Sequence, residues 1–347
     1  MESRQQKFSG TKEISEQLRF DTNALRDYME DHVEGFSGPV EVRQFRGGQS
    51  CPTYLLESAG RKYVLRRKPP GVLLPSAHAV DREYRIITAL GKTDVPVPAT
   101  YCLCTDESVI GTWFYIMECV EGRVFWDGTL PDLTKEERGA VYDQMNEVLA
   151  RLHSVDYLAL GLEDFGKPGN YFARQIHRWG KQYSLSETEH IEAMNNLIEW
   201  LPSNIPEGDE SSIVHGDYRH DNMVFHPTEP RILALLDWEL STIGHPLGDF
   251  SYQCMQWSRQ FAGSDLSALG IPTLDEYRDA YCRRTGRDEI KNWNFYMAYN
   301  LFRSAGIAQG IVGRVRDGTA ASAWATETAA SVRPTAEAAW ALVAADA

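Results

Sequence analysis

The chain has 347 residues, 43% of them hydrophobic and 24% charged, enough apolar material for roughly two folding units of about 150 residues each. Thirty-five Lys and Arg against forty-nine Asp and Glu leave a formal charge of −14, so the chain lacks the basic face that counterion release demands of a general nucleic-acid binder. No apolar run approaches the ~20 residues that cross a bilayer, and Met1–Lys7 is polar, unlike a secretory leader.

Residues 14–32 place Ile14, Leu18, Leu25, Tyr28 and Met29 at helical spacing and predict an opening helix. Glu41–Phe45, a Gly47–Ser50 turn and Thr53–Glu57 read as strand, glycine loop and strand, and a Ser58–Gly60 turn leads to a third strand at Lys62–Arg66. Residues 78–90 have helical spacing and are broken by Val95-Pro96-Val97-Pro98, because proline offers no amide donor. Tyr101–Cys104 and Trp113–Met117 are further apolar stretches, the second continuous enough for a strand covered on both faces. From Gly122 the pattern turns helical. Thr134-Lys135-Glu136-Glu137 is a capping box that opens a helix ending near His153. The alanine-rich segment 319–347, interrupted by Pro334, predicts two short helices. The fold class is therefore α+β and bilobal, with a small β-rich lobe over 1–118 and a larger, mainly helical lobe over 119–347.

Cys51, Cys102, Cys104, Cys119, Cys254 and Cys282 mostly sit in apolar segments, and neither C-x-x-C nor H-E-x-x-H occurs, so no zinc site is expected. They read as buried, reduced thiols of a cytoplasmic protein. Two motifs are decoys. Gly161–Lys167 imitates a phosphate loop, but Pro168 stands where a metal-binding hydroxyl is required. The Asp164-Phe165-Gly166 inside it precedes, rather than follows, the candidate catalytic loop.

The informative stretch runs from Ile213 to Phe225. An apolar pair leads into His215-Gly216-Asp217, four residues intervene, and Asn222 precedes a second apolar run. Ile232–Leu236 is then a buried strand ending in Asp237-Trp238-Glu239. Phosphoryl transfer needs these parts in this order: a carboxylate to accept a hydroxyl proton, then a carboxamide and a second carboxylate to hold Mg²⁺ against ATP phosphates. Asp217 and Asn222 have the D-x-x-x-x-N separation of a kinase catalytic loop, and Asp237 takes the place of the Asp in D-F-G.

On these residues the chain resembles an aminoglycoside-phosphotransferase-like kinase, a branch of the protein-kinase-like fold. More narrowly it resembles the kinase-like domain associated with acyl-CoA dehydrogenases, through Gly48-Gln49-Ser50, Tyr63–Gly71, Leu74–His78, Phe302-Arg303, Gln309-Gly310 and Arg314. The resemblance implies that Asp217 is the catalytic base or the group that orients the substrate hydroxyl, and that Arg219 steadies the transferred phosphoryl. Asn222 and Asp237 would bind Mg²⁺, while Gly48 and Ser50 cover the ATP phosphates. Arg66 stands where a lysine is usual, with Glu83 as its partner or Lys68 taking part, and Glu118 to Val120 pair the adenine. A solvated basic edge is the plainer reading of Arg67. Glu239 would be an acid behind the metal ligands, an outer metal contact or a substrate contact. Arg303 and Arg314, eleven residues apart and close to one helical face, would hold an anionic substrate group, a salt-bridge role being the alternative. Asp249 would accept amides from the catalytic loop, and His215 would pack beneath it.

The expected activity is ATP- and Mg²⁺-dependent phosphorylation of a hydroxyl on a small molecule, a hydroxyacyl-CoA or hydroxy acid being favoured by the narrower resemblance. An antibiotic kinase of the aminoglycoside type, a pseudokinase without turnover and a protein kinase are the rivals. A functional link to an acyl-CoA dehydrogenase is expected, with neither nucleic acid nor membrane as partner.

Overall fold

The computed structural model describes residues 9–47, 51–71, 78–317 and 325–346. Their contacts divide the chain into two compact units. One comprises Met1–Phe165, Arg219–Ser241 and Ser267–Ile271, and the other Gly166–Tyr218, Thr242–Leu266 and Pro272–Ala347.

The first unit is built on six antiparallel strands: β1 (Thr11–Lys12), β2 (Glu41–Phe45), β3 (Thr53–Ser58), β4 (Arg61–Arg67), β5 (Thr100–Cys104) and β6 (Phe114–Glu118), in the order β1-β2-β3-β4-β6-β5. Ser58 pairs with Arg61, so β3 and β4 are joined by Ala59-Gly60 alone. Both turn residues have positive φ, the conformation that matches a two-residue hairpin to the right-handed twist of its strands. Alternation then assigns the faces of β4. Tyr63 and Leu65 pack with Tyr54, Leu56 and Ile116 against Leu25 and Met29 of the helix Thr22–His32, while Val64 and Arg66 face the other way.

That first helix is shorter than its spacing predicts. A 3₁₀ turn at Glu16–Leu18 precedes it, and the Asp21 carboxylate accepts the amides of Asn23 and Ala24 at 2.8 and 3.1 Å, starting a separate helix at Thr22. Arg67 departs from the basic-edge reading: it is 2% exposed because it shares the covered face of β4 with Tyr63 and Leu65. Its guanidinium donates to the carbonyls of Ile110 and Leu18 and lies over Phe20 at 4.9 Å. The helix Val80–Leu90, the capped helix Lys135–Ser154 and a small hairpin of β8 (Met223–Phe225) and β9 (Ile232–Leu235) complete this unit. The capping box forms as expected, Thr134 and Glu137 each accepting the other's backbone amide.

In the second unit β7 (Ser212–Val214) pairs with β10 (Thr242–Gly244), and the rest is helical. The helix Trp293–Arg316 is packed by Tyr171–Ser186, Pro246–Arg259 and Ala325–Ala341. The last of these runs unbroken through Pro334, where two helices were expected. Burial of Val332, Ala336 and Ala339 offsets the ~3 kcal/mol that proline costs a helix interior. Among the described residues no helix is long and apolar enough to cross a membrane.

Candidate active site

In the first unit a cavity of about 820 Å³ opens beside the face of β4 and β6 that carries Val64, Arg66 and Met117. Val64 and Met117 contribute apolar wall from the sheet, and Val224 and Leu235 from the β8–β9 hairpin. Gly122 lets these walls meet. A Cβ there would lie 2.2 Å from the carbonyl oxygen of Phe225, so no larger residue fits this crossing.

Arg66 lies on the cavity wall, 7% exposed. Its Nε is 2.8 Å from Glu83 Oε2, its Nη2 is 2.5 Å from Asp237 Oδ1, and Glu239 Oε2 is 3.8 Å from the same Nη2. The expected pair therefore forms with arginine. Lys68 does not share it, and its Nζ sits 3.8 Å above the ring of Trp113. Glu83 is 1% exposed and accepts the hydroxyl of Tyr115 at 3.2 Å. Burial pushes its carboxyl up to about 7; Arg66 opposes the shift, and the charges of Asp237 and Glu239 add to it. Burial also works against the charge on Arg66, but Glu83 and Asp237 hold that guanidinium protonated well above its ordinary value.

Asn222 and Asp237 line the same cavity. They are adjacent because the Leu236 amide donates to the Asn222 carbonyl at 2.8 Å, tying the ends of β8 and β9 together. Asp237 has φ +63 and ψ +65, a left-handed conformation unusual for a residue other than glycine, asparagine or aspartate. Their side chains offer a carboxamide and a carboxylate, the hard oxygen donors that suit Mg²⁺. Arg219 is half-exposed, with its Nη2 3.2 Å from Asp221 Oδ2.

Glu118 and Val120 also line the cavity. The Glu118 amide donates to the Ala99 carbonyl at 2.7 Å and its carboxylate accepts the Ala99 amide. Gly48 and Ser50 lie outside the described residues.

In the second unit the loop after β7 is held from within. Asp249 accepts the amides of His215 and Gly216 at 2.6 and 2.9 Å, and Gly216, at φ +83, turns the chain. His215 is fully buried, and its Nδ1 accepts the Asp217 amide at 3.3 Å. Arg303 donates to the Gly216 carbonyl at 2.8 Å. Asp217 Oδ1 accepts the hydroxyl of Tyr252 at 2.6 Å. The sequence reading passed over Tyr252, although it follows Asp249 by three residues on one helix and so shares its face. Arg314 is not joined to Arg303. Eleven residues of helix separate them by ~16 Å, and Arg314 is exposed, lining a groove with Arg178 and Lys181.

A profile described as the phosphotransferase enzyme family matches residues 41–296. Acyl-CoA dehydrogenase family member 10 of Mus musculus is 45% identical over 339 residues, covering 95% of this chain and 32% of its own length. Member 11 of Homo sapiens is 44% identical over 337 residues, covering 94% and 43%. The chain thus spans less than half the length of these curated relatives. A crystal structure of a "putative aminoglycoside phosphotransferase" from Ralstonia eutropha is 57% identical with a TM-score of 0.86, covering 93% of this chain and 98% of that one. An aminoglycoside phosphotransferase crystallised with ADP and hygromycin B has 16% identity and a TM-score of 0.60 over 91% and 97% of the two chains, a likeness of fold. With its sheet-built N-terminal region, its helical C-terminal region and these relatives, the chain belongs to the phosphotransferase enzyme family, on the kinase-like fold of the aminoglycoside phosphotransferases.

Proposed function

We propose that the chain transfers the terminal phosphoryl group of ATP to a hydroxyl of a small molecule, with Mg²⁺. The observation that carries this reading is the convergence of Arg66, Asn222 and Asp237 on one cavity that also has apolar wall from Val64, Met117, Val224 and Leu235. In this reading Val64, Met117, Val224 and Leu235 sandwich the adenine, and the Glu118 carbonyl and Val120 backbone pair with its edge. Glu83 aims Arg66 at the phosphates. Gly48 and Ser50, between β2 and β3 in sequence, would cover those phosphates. Asn222 and Asp237 would hold Mg²⁺, which neutralises phosphate charge when bound.

Asp217 would accept the proton of the attacking hydroxyl, with Tyr252 fixing one carboxylate oxygen and Arg219 offering positive charge to the group in transfer. Asp249, His215 and Arg303 support the backbone of that loop, so Arg303 acts on the base's surroundings rather than on a substrate anion. Glu239 remains beside Arg66 as an outer acid. Arg314, in its separate groove, would meet only an extended anionic substrate. The functional lobes divide near residue 118, after the adenine-binding strand.

The relatives named acyl-CoA dehydrogenase family members favour a hydroxy acid or its coenzyme A thioester as acceptor, and a functional link to such a dehydrogenase. The name of the 57% identical structure favours an aminoglycoside. Six free cysteines support a reducing, cytoplasmic setting.

Screening hydroxy acids, their thioesters and aminoglycosides for ATP consumption tests the assignment, with Asp217→Ala beside the wild type. The expected result is turnover of one acceptor class. In Asp217→Ala, kcat should fall ~10²–10⁴-fold with nucleotide affinity retained. Equal rates in the two proteins would remove Asp217 from the chemistry.

A further inference from the structure

Behind Arg66, three ligand-bearing side chains from distant parts of the first unit come together. Cys51 precedes β3, His78 precedes the helix Val80–Leu90, and Glu239 follows Asp237. One ligand atom from each lies within 4.8 Å of the other two, and Cys51 Sγ is 3.6 Å from His78 Nδ1. We propose that Cys51, His78 and Glu239 form a binding site for a borderline-soft divalent cation of the zinc type, distinct from the oxygen-lined place of Asn222 and Asp237.

The geometry and the donors both favour this assignment. Tetrahedral zinc, with ~2.3 Å to sulfur and ~2.0 Å to nitrogen, separates those two atoms by ~3.5 Å, close to the observed spacing. A thiolate, an imidazole nitrogen and a carboxylate are a zinc set, whereas Mg²⁺ prefers oxygen alone. Three protein ligands leave a fourth position open to water or a ligand. Charge is compatible as well: around Arg66 stand three carboxylates, Glu83, Asp237 and Glu239, against its single guanidinium.

The backbone points the same way. His78 holds φ +55, a left-handed conformation that histidine adopts at some cost, and it does so where its ring meets Cys51. Cys51 is fully buried, which excludes bulky oxidants but not an ion. As the sulfur–metal bond forms, the thiol proton leaves to solvent, so one proton is released per ion bound through Cys51.

Titration of the reduced, metal-free full chain with Co²⁺ as a spectroscopic probe tests the site. The expected result is one equivalent bound, with a thiolate-to-cobalt charge-transfer band in the near ultraviolet that Zn²⁺ abolishes and excess Mg²⁺ leaves in place. Cys51→Ala should lose the band, while Cys119→Ser, which alters the half-buried thiol elsewhere, should keep it. His78→Gln, at a partly exposed position that leaves the core intact, should lose the stoichiometric complex while keeping the wild-type melting temperature. Absence of the band in the wild type would reduce the Cys51–His78 contact to a thiol–imidazole hydrogen bond and overturn the proposal. So would displacement by Mg²⁺, persistence of the band in Cys51→Ala, or undiminished affinity in His78→Gln.

Discussion

Arg66 Nε and Glu83 Oε2 lie 2.8 Å apart with both residues almost entirely out of solvent. A charge pair at that depth is costly to form and costlier to break. Removing Arg66 leaves the Glu83 carboxylate buried without that partner, a loss of about 3–5 kcal/mol. Arg66 is also shared with Asp237, so the pair couples the helix Val80–Leu90 to the end of β9.

The Glu83 carboxyl, raised from 4.5 to about 7, makes stability depend on pH. The folded chain holds this proton more tightly than the unfolded one. Its stabilising contribution is therefore complete below about 4.5 and is lost as the pH climbs through about 7. Urea midpoints of the wild type should fall across this window relative to those of Glu83→Gln, which lacks the proton. Parallel pH profiles in the two proteins would refute the shift.

Asp237→Ala removes an oxygen donor from the cavity and one carboxylate from Arg66. Mg²⁺ should then strengthen nucleotide binding by at least ~10-fold less than in the wild type, about 1.4 kcal/mol. Calorimetric titration of nucleotide with and without Mg²⁺ reads this difference. An unchanged Mg²⁺ effect would exclude Asp237 as a metal ligand.

Tyr252→Phe deletes only the hydroxyl that donates to Asp217 at 2.6 Å. Hydrogen bonds to charged groups contribute about 1.5–3 kcal/mol, so kcat should fall ~10–100-fold. Nucleotide affinity should not change, which separates a positioning role from a general loss of structure. Wild-type kcat in this variant would show that the contact does not matter to turnover.

Gly122→Ala places a methyl group 2.2 Å from a backbone oxygen that cannot swing aside. Overpacking of this kind costs about 1–3 kcal/mol and should lower the denaturation midpoint as well as nucleotide affinity. Gly91→Ala is the control: its new Cβ meets nothing nearer than 3.5 Å and its φ is −59, so little should change.

Much of the fold was legible because local rules act over a few residues. Glycine-bearing turns set off β2, β3 and β4, a continuous apolar run marked β6, and the four residues from Thr134 to Glu137 announced a helix start. The opening helix was read too long because apolar spacing continues across Asp21, whose capping bonds interrupt it. Pro334 misled for the opposite reason, since long-range burial outweighed a local penalty. The candidate site was partly legible too. Asp217, Asn222 and Asp237 stand at telling separations, and the ion pair of Arg66 with Glu83 was one of two alternatives that the family resemblance implied.

What the amino-acid order determined by itself was a strand-rich opening followed by a helical remainder, and the proposed set of phosphotransfer side chains, because spacing, capping and turn chemistry are written in adjacent residues. Only the tertiary structure decided that Arg67 is buried while Arg66 faces the cavity and that Arg303 supports Gly216. It alone brought Tyr252 to Asp217 and gathered Cys51, His78 and Glu239 into one cluster. Those outcomes depend on which face of a strand is covered and which distant segments pack together, and chain folding sets both through contacts between residues far apart in sequence.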